Sequence, residues 1–176
     1  MKYILETERL RLREFTTADC DFLIELMNSP GWLKFIGDRN VRTREEGENY
    51  LRNGPMKSYE VNGYGLWMVE RKDDGCPMGM CGILKRAWLA DPDIGYAFME
   101  PWRGRGYAGE ATRAIVQYAG EAFGLKRLVA IIDPENSDSV KLINNAGFAF
   151  ETMVREATDN KELGLYALDT EVHRDS

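Results

Sequence analysis

Residues 102–116, "WRGRGYAGEATRAIV", hold the residue types that grip a phosphate. Gly104, Gly106 and Gly109 let the backbone approach a ligand closely, and the N–H groups of residues 104–109 can converge on an anion where a helix begins. Arg103 and Arg105 add local positive charge in a chain whose net charge is −6. Three readings share these letters. G-x-G-x-x-G is the dinucleotide-binding fingerprint. Arg103-x-x-Gly106-x-Ala108 is a pyrophosphate grip of a different kind. A glycine-rich turn with two solvated arginines needs no ligand at all.

Spacing separates the first two. A dinucleotide loop turns directly off its strand, whereas Glu100, Pro101, Trp102 and Arg103 stand between the strand and Gly104 here. That strand, "DIGYAFME" (93–100), carries Asp93, Gly95 and Glu100 in place of a continuous apolar run. Asp133 falls near the distance of a ribose-binding acid. The chain beyond Gly109 nevertheless ends in an antiparallel pair, with no second nucleotide-binding half. An NAD(P)-dependent oxidoreductase is therefore the remotest alternative.

Composition narrows the partners. The chain has 176 residues, 44% of them hydrophobic and 30% charged, as expected for one globular domain with its own core. A pI near 5.0 argues against nucleic acid. No apolar run approaches the ~18 residues of a membrane span, and the acidic N-terminus does not read as a signal peptide. Cys20, Cys76 and Cys81 are scattered without zinc-type spacing, and His173 is the only histidine. No metal site and a cytoplasmic location are expected.

The elements that must position the loop follow from periodicity. "RLRLREF" (9–15) alternates as a strand, with Leu10 and Leu12 inward. A helix with a possible cap at Thr16 and Asp19 follows, its stripe being Phe22, Leu23, Leu26 and Met27. "GWLKFIGDRNV" reads as irregular, and Thr43 with Glu46 opens a short helix to about Asn53. "GYGLWMVERK" and "PMGMCGILKR" form a hairpin about Asp73-Asp74-Gly75. After the glycine loop a long helix ends at Gly124, and "RLVAIID" (127–133) is a buried strand. A helix ending at Gly147 and two strands paired about Asp159-Asn160 complete a mixed sheet of about six or seven strands, with a single parallel crossover.

Taken with its order and spacing, the chain resembles the GNAT superfamily of N-acetyltransferases, in its RimJ/RimL-like branch. The stretches that carry the likeness are "LETERLRLREFTTADCDFL", "DIGYAFMEPWRGRGYAGEA" and "GLKRLVAIIDPENSDSVKLINNAGF", from about Leu5 to about Asp169. The resemblance implies an α/β (α+β) fold, its mostly antiparallel twisted sheet flanked by helices and its central parallel pair splayed. It also implies acetyl-CoA as donor, with the pyrophosphate on the backbone of Arg103, Gly104, Arg105, Gly106, Tyr107, Ala108 and Gly109. The pantetheine arm would pair near Phe98 and Met99, and Asn136 would meet its amide. Asn136 also stands where a helix cap belongs, and the two roles can coexist.

The implied reaction is direct attack of a neutral amine on the thioester in a ternary complex. The thioester carbonyl would be polarised by a backbone N–H near Met99. Many members place a tyrosine in the helix after the Asn to protonate the leaving thiolate; here that position is Ile143. Taking a thiol pKa near ~8.5, the missing acid is worth only ~2 kcal/mol at neutral pH. Ser139, or a water it holds, is the substitute, unless it is an ordinary first-turn serine. Asp93 matches the strand position of a catalytic carboxylate in several families, or is a solvated strand end; Glu100 and Glu151 are further candidates. A lysine near pKa ~10.4 is neutral ~0.04% of the time at pH 7, an α-amine near ~7.8 about 14%. A site without a strong base therefore suits α-amines, and the branch points to protein N-termini, though it also holds enzymes for small amines. Trp32, Trp67 and Trp88 are pocket or core residues. Covalent catalysis through Cys81 lacks an evident base. A GNAT fold that binds coenzyme A without transfer is the main alternative, and a monomer or homodimer fits the sequence equally.

Overall fold

Leu10 and Leu12 alternate with Arg11 and Arg13, and the resulting strand buries both leucines completely. In the computed structural model, which describes residues 1–170, this is the second strand of one eight-stranded sheet. His173 lies outside the described residues. The strands are β1 (Tyr3–Glu6), β2 (Leu10–Arg13), β3 (Leu66–Arg71), β4 (Pro77–Leu84), β5 (Asp93–Phe98), β6 (Arg127–Ile132), β7 (Ala149–Arg155) and β8 (Glu162–Asp169). Their spatial order is β1-β2-β3-β4-β5-β6-β8-β7. All neighbours are antiparallel except β5 and β6. The strand beyond the seven read from the pattern is β1, a short edge strand whose pairing with β2 shifts register between Tyr3 and Leu5.

The helices are α1 (Cys20–Met27), α2 (Pro30–Phe35), α3 (Arg44–Asn53), α4 (Pro55–Asn62), α5 (Tyr107–Phe123) and α6 (Ser137–Asn145). Thr16 and Thr43 both form complete capping boxes, with Asp19 and Glu46. Two helices were not legible. The segment expected to be irregular contains α2, and a further helix, α4, follows α3 directly. Each starts with proline in its first turn, where the missing N–H costs nothing. α2 has only six residues, and α4, though as long as α1, fully buries only Pro55 and so carries no apolar stripe.

The helices divide between the two faces of the sheet. On one, α5 and α6 pack over Leu12, Trp67, Ile94, Phe98 and Leu128. On the other, α1–α3 bury Leu23, Trp32 and Leu51 against Met68 and Met80. Arg13, 3% exposed, joins this second layer to the sheet. Its guanidinium donates to Glu70 on β3 at 2.6 Å and to both oxygens of Asp19, ahead of α1, at 2.8 and 2.9 Å. A buried charge so completely paired is tolerated; one partner alone would not be.

The crossover β5-α5-β6 creates the feature that matters for the site. β5 and β6 share one parallel rung, Asp93 opposite Val129. Beyond it the ladder ends and the strands part towards the glycine loop.

Candidate active site

A short 3-10 turn, Glu100–Trp102, carries the chain from β5 to the loop. Gly104 and Gly106 then adopt φ of +74° and +83°, the left-handed region that glycine alone enters freely. A Cβ on Gly104 would meet nothing within 4 Å, so conformation rather than crowding selects glycine there. Gly106 is the N-cap of α5, and Tyr107, Ala108 and Gly109 form the first turn. Loop N–H groups and the positive end of a 17-residue helix thus face the same space.

The β1–β2 turn clamps this loop. Glu110 of α5 accepts from the Thr7 hydroxyl, from Arg9 N at 3.0 Å and from Arg9 Nε at 2.7 Å. Burial pushes the Glu110 carboxyl up, but these donors outweigh it and hold it below its ordinary value. Arg9 also donates to the Arg105 carbonyl at 3.1 Å and lies 4.2 Å from the Tyr107 ring centroid. Arg71 and Arg105 rest on the Trp102 ring at 4.7 and 5.7 Å. Arg9 and Arg71 were missed by sequence reading, because only the fold brings β2 and β3 beside the loop. Arg103 differs from expectation: its Nε donates to the Phe98 carbonyl at 3.1 Å, and its guanidinium lies against Gly31. A Cβ on Gly31 would collide with that guanidinium. This side chain, still exposed, ties α2 to the end of β5, and Arg9 and Arg105 stand beside the loop, with the charge of Arg9 paired to Glu110.

The gap between β5 and β6 also corrects one expectation. Met99 N–H is donated to Met78 O at 2.9 Å, across the ladder with β4. It therefore does not face the gap. Backbone groups alternate along a strand, so Ile94, Tyr96 and Phe98 are the residues that turn theirs towards β6. Across the gap, Asn136 Oδ1 accepts from Ser139 N at 3.2 Å and caps α6. Ser139 is half-buried in that first turn, and its carbonyl accepts from the Tyr96 hydroxyl at 3.4 Å. Ile143, one turn deeper, is 0% exposed in the core.

Asp93 stands at the closed end of the gap. It is 1% exposed, with its oxygens 3.0 and 3.2 Å from Arg86 Nε, so it is not a solvated strand end. Burial raises its carboxyl to about 6, against the opposing pull of Arg86. Glu100 is exposed beside the loop. Glu151 is held by Arg127 at 2.6 and 2.8 Å, which keeps it below its ordinary value. Cys81 is fully buried next to Thr112, and burial pushes its thiol up to about 12, so it is no nucleophile. Trp32 and Trp67 are core residues on opposite faces, and Trp88 packs beside Leu89 and Val129. On the α1–α4 face, a depression of about 350 Å³ is lined by Tyr50, Pro55, Ser58, Leu66, Leu84 and Lys85 among others.

A single parallel rung rules out a doubly wound dinucleotide fold, and known proteins agree. The family description "Acetyltransferase (GNAT) domain" matches residues 9–149. The protein YkkB of Bacillus subtilis is 31% identical over 166 residues, 92% of this chain and 93% of that one. The crystal structure of an acetyltransferase from Agrobacterium tumefaciens superposes with a TM-score of 0.80 at 25% identity, covering 96% of this chain and 94% of that one. RimL, a ribosomal L7/L12 alpha-N-protein acetyltransferase solved with coenzyme A, superposes with a TM-score of 0.79 at 18% identity, over 96% and 98% of the chains. At that identity the likeness is one of fold.

Proposed function

The chain belongs to the GNAT acetyltransferase family, an acyl-CoA-dependent N-acetyltransferase, and from that premise we propose that its acceptor is the α-amine of a protein N-terminus. The observation that carries this reading is the absence of an open carboxylate at the parted strands. Among the described residues near the gap, Asp93 is enclosed with Arg86, Asp133 at the end of β6 is held by Lys161 at 2.7 Å, and Glu100 lies outside, next to the loop. A site of this kind has little means of deprotonating a lysine, whereas an α-amine near pKa ~7.8 is already partly neutral at pH 7. RimL, an alpha-N-protein acetyltransferase of the same fold, points the same way.

The residues present fit acetyl-CoA. The left-handed glycines open the loop N–H groups to a pyrophosphate, with Arg9 and Arg105 beside them. Below the loop, the groups of Phe98 and Tyr96 that turn towards β6 are placed to pair with an extended amide-bearing arm. Asn136 and Ser139 lie on the opposite wall. The donor supplies a thioester whose carbonyl needs polarising, and the Phe98 N–H is the strand donor for it, in place of Met99. In this reading Asp93 is a positioning residue: it fixes Arg86 and the closed end of the gap. Ser139 borders the place where the sulfur departs.

A second reading, coenzyme binding without transfer, rests on Ile143 in the position of the usual acid. One assay tests both. Acetyl-CoA is mixed with α-amine peptides whose lysines are blocked, with lysine-only peptides and with polyamines, and free thiol is followed. Thiol release with the α-amine set supports the proposal. Release only with polyamines moves the acceptor class, and binding with no release on any amine leaves a binding module.

A further inference from the structure

The family's usual proton-donor position is closed in this chain, yet a phenol does reach the same wall of the gap. Tyr96 lies midway along β5, between the rung at Asp93 and the loop, and the alternation that buries Ile94 and Phe98 sends its side chain to the α5/α6 face. Its ring packs on that core, and its hydroxyl crosses to the carbonyl of Ser139 on α6. A contact of 3.4 Å is long for O–H···O, so the hydroxyl is held loosely and can be redirected. Beneath it, Ile143 fills the helix wall with hydrocarbon. Tyr96 therefore forms the floor of the slot that opens at Phe98 and closes at Asp93.

Resting on the acetyl-transfer reading, we propose that Tyr96 is a catalytic residue whose hydroxyl donates a hydrogen bond to the departing sulfur, the task that Ile143 cannot perform. As the amine nitrogen bonds to the acyl carbon, the C–S bond breaks and its electron pair passes to sulfur. The Tyr96 O–H turns from the Ser139 carbonyl to that sulfur and stabilises the thiolate without giving up its proton. The proton lost by the new amide nitrogen goes to water, and the thiolate regains one from solvent on release. Burial raises the phenol to about 12, so it remains a donor throughout the working range. No other hydroxyl among the described residues crosses from β5 to α6.

Tyr96→Phe removes one oxygen and leaves the ring packed, so the fold is expected to persist. With the α-amine set, kcat should fall about 10- to 100-fold, the range of a hydrogen bond to a charged group, with KM for acetyl-CoA little changed. A second readout needs no turnover. Binding of free coenzyme A, followed by calorimetry from pH 6 to 10, reports the pKa of the bound thiol. In the wild type it should lie at least one unit below the ~8.5 of a free thiol, and in Tyr96→Phe it should return to that value. An unchanged kcat together with an unchanged thiol profile would overturn the assignment. If wild-type protein neither binds acetyl-CoA nor releases thiol, the acetyl-transfer reading itself fails, and the two failures are thereby told apart.

Discussion

Around the start of α5 the chain is organised by backbone conformation, whereas the face covered by α1–α4 is organised by side chains. The loop depends on two left-handed glycines, a helix end and a ladder that stops after one rung. The opposite face depends on the Arg13–Glu70–Asp19 network, on two threonine caps and on apolar packing about Trp32 and Leu51. A backbone-built site serves an invariant group such as a pyrophosphate. Substitutions that affect one region and spare the other will sharpen this contrast, and substitutions that affect both will break it.

The largest effect is expected from Arg13→Met. Removing the cation takes the closest charge partner from Glu70 and Asp19, leaving Glu70 only the longer contact to Arg11 and the Tyr3 hydroxyl, and denaturant unfolding should show a loss of about 3 kcal/mol. Coenzyme affinity of the folded fraction should stay within about twofold. Next comes Gly106→Val. A β-branched residue at φ +83° is strained by about 1–3 kcal/mol and obstructs the loop. Calorimetry should find coenzyme A binding at least 100-fold weaker, or about 2.7 kcal/mol. Wild-type affinity in that variant would remove the loop from the site.

Asp93→Asn should have a smaller effect on turnover. As a positioning residue, Asp93 predicts a loss under about tenfold that does not depend on pH. A loss of about 10²–10⁴-fold that shrinks as pH rises would identify it as the base. Its effect on stability has a definite sign. Burial lifts the carboxyl from its ordinary 3.8 to about 6, so the folded protein holds this proton more tightly than the unfolded chain does. Its contribution is therefore fully present below about pH 4 and is lost as pH rises to about 6. The stability of wild type relative to Asp93→Asn should fall across that window and then level off. The smallest effect, about 1 kcal/mol, is expected for Thr43→Ala, which removes the cap of α3 and should leave coenzyme binding unchanged.

The same contrast explains what the sequence disclosed. Gly104, Gly106, Gly124 and Gly147 all take positive φ, so the loop, the helix stops and the crossover could be read from glycine spacing. The stripe of α1 and the capping boxes were equally plain. Hidden were the features that depend on residues far apart in the chain. Arg9 reaches the loop from the β1–β2 turn, Arg103 lies against Gly31, and Arg86 encloses Asp93. Met99 was misassigned because strand phase, which decides which N–H faces β4, is not visible in a run of six residues with a bulged neighbour. Tyr96 carries no signal of its own in the sequence, because its partner, the Ser139 carbonyl, lies on α6, 43 residues away.

The central claim is that acetyl-CoA lies between the loop and the parted strands, held mainly by backbone groups. Amide hydrogen exchange with and without acetyl-CoA, with NAD as the control, tests it most directly. The expected result is slowed exchange at residues 104–109 and at the Tyr96 and Phe98 amides with acetyl-CoA, no change on α3 and α4, and no effect of NAD. Protection of α3 and α4 in place of the loop, or equal protection by NAD, would contradict it.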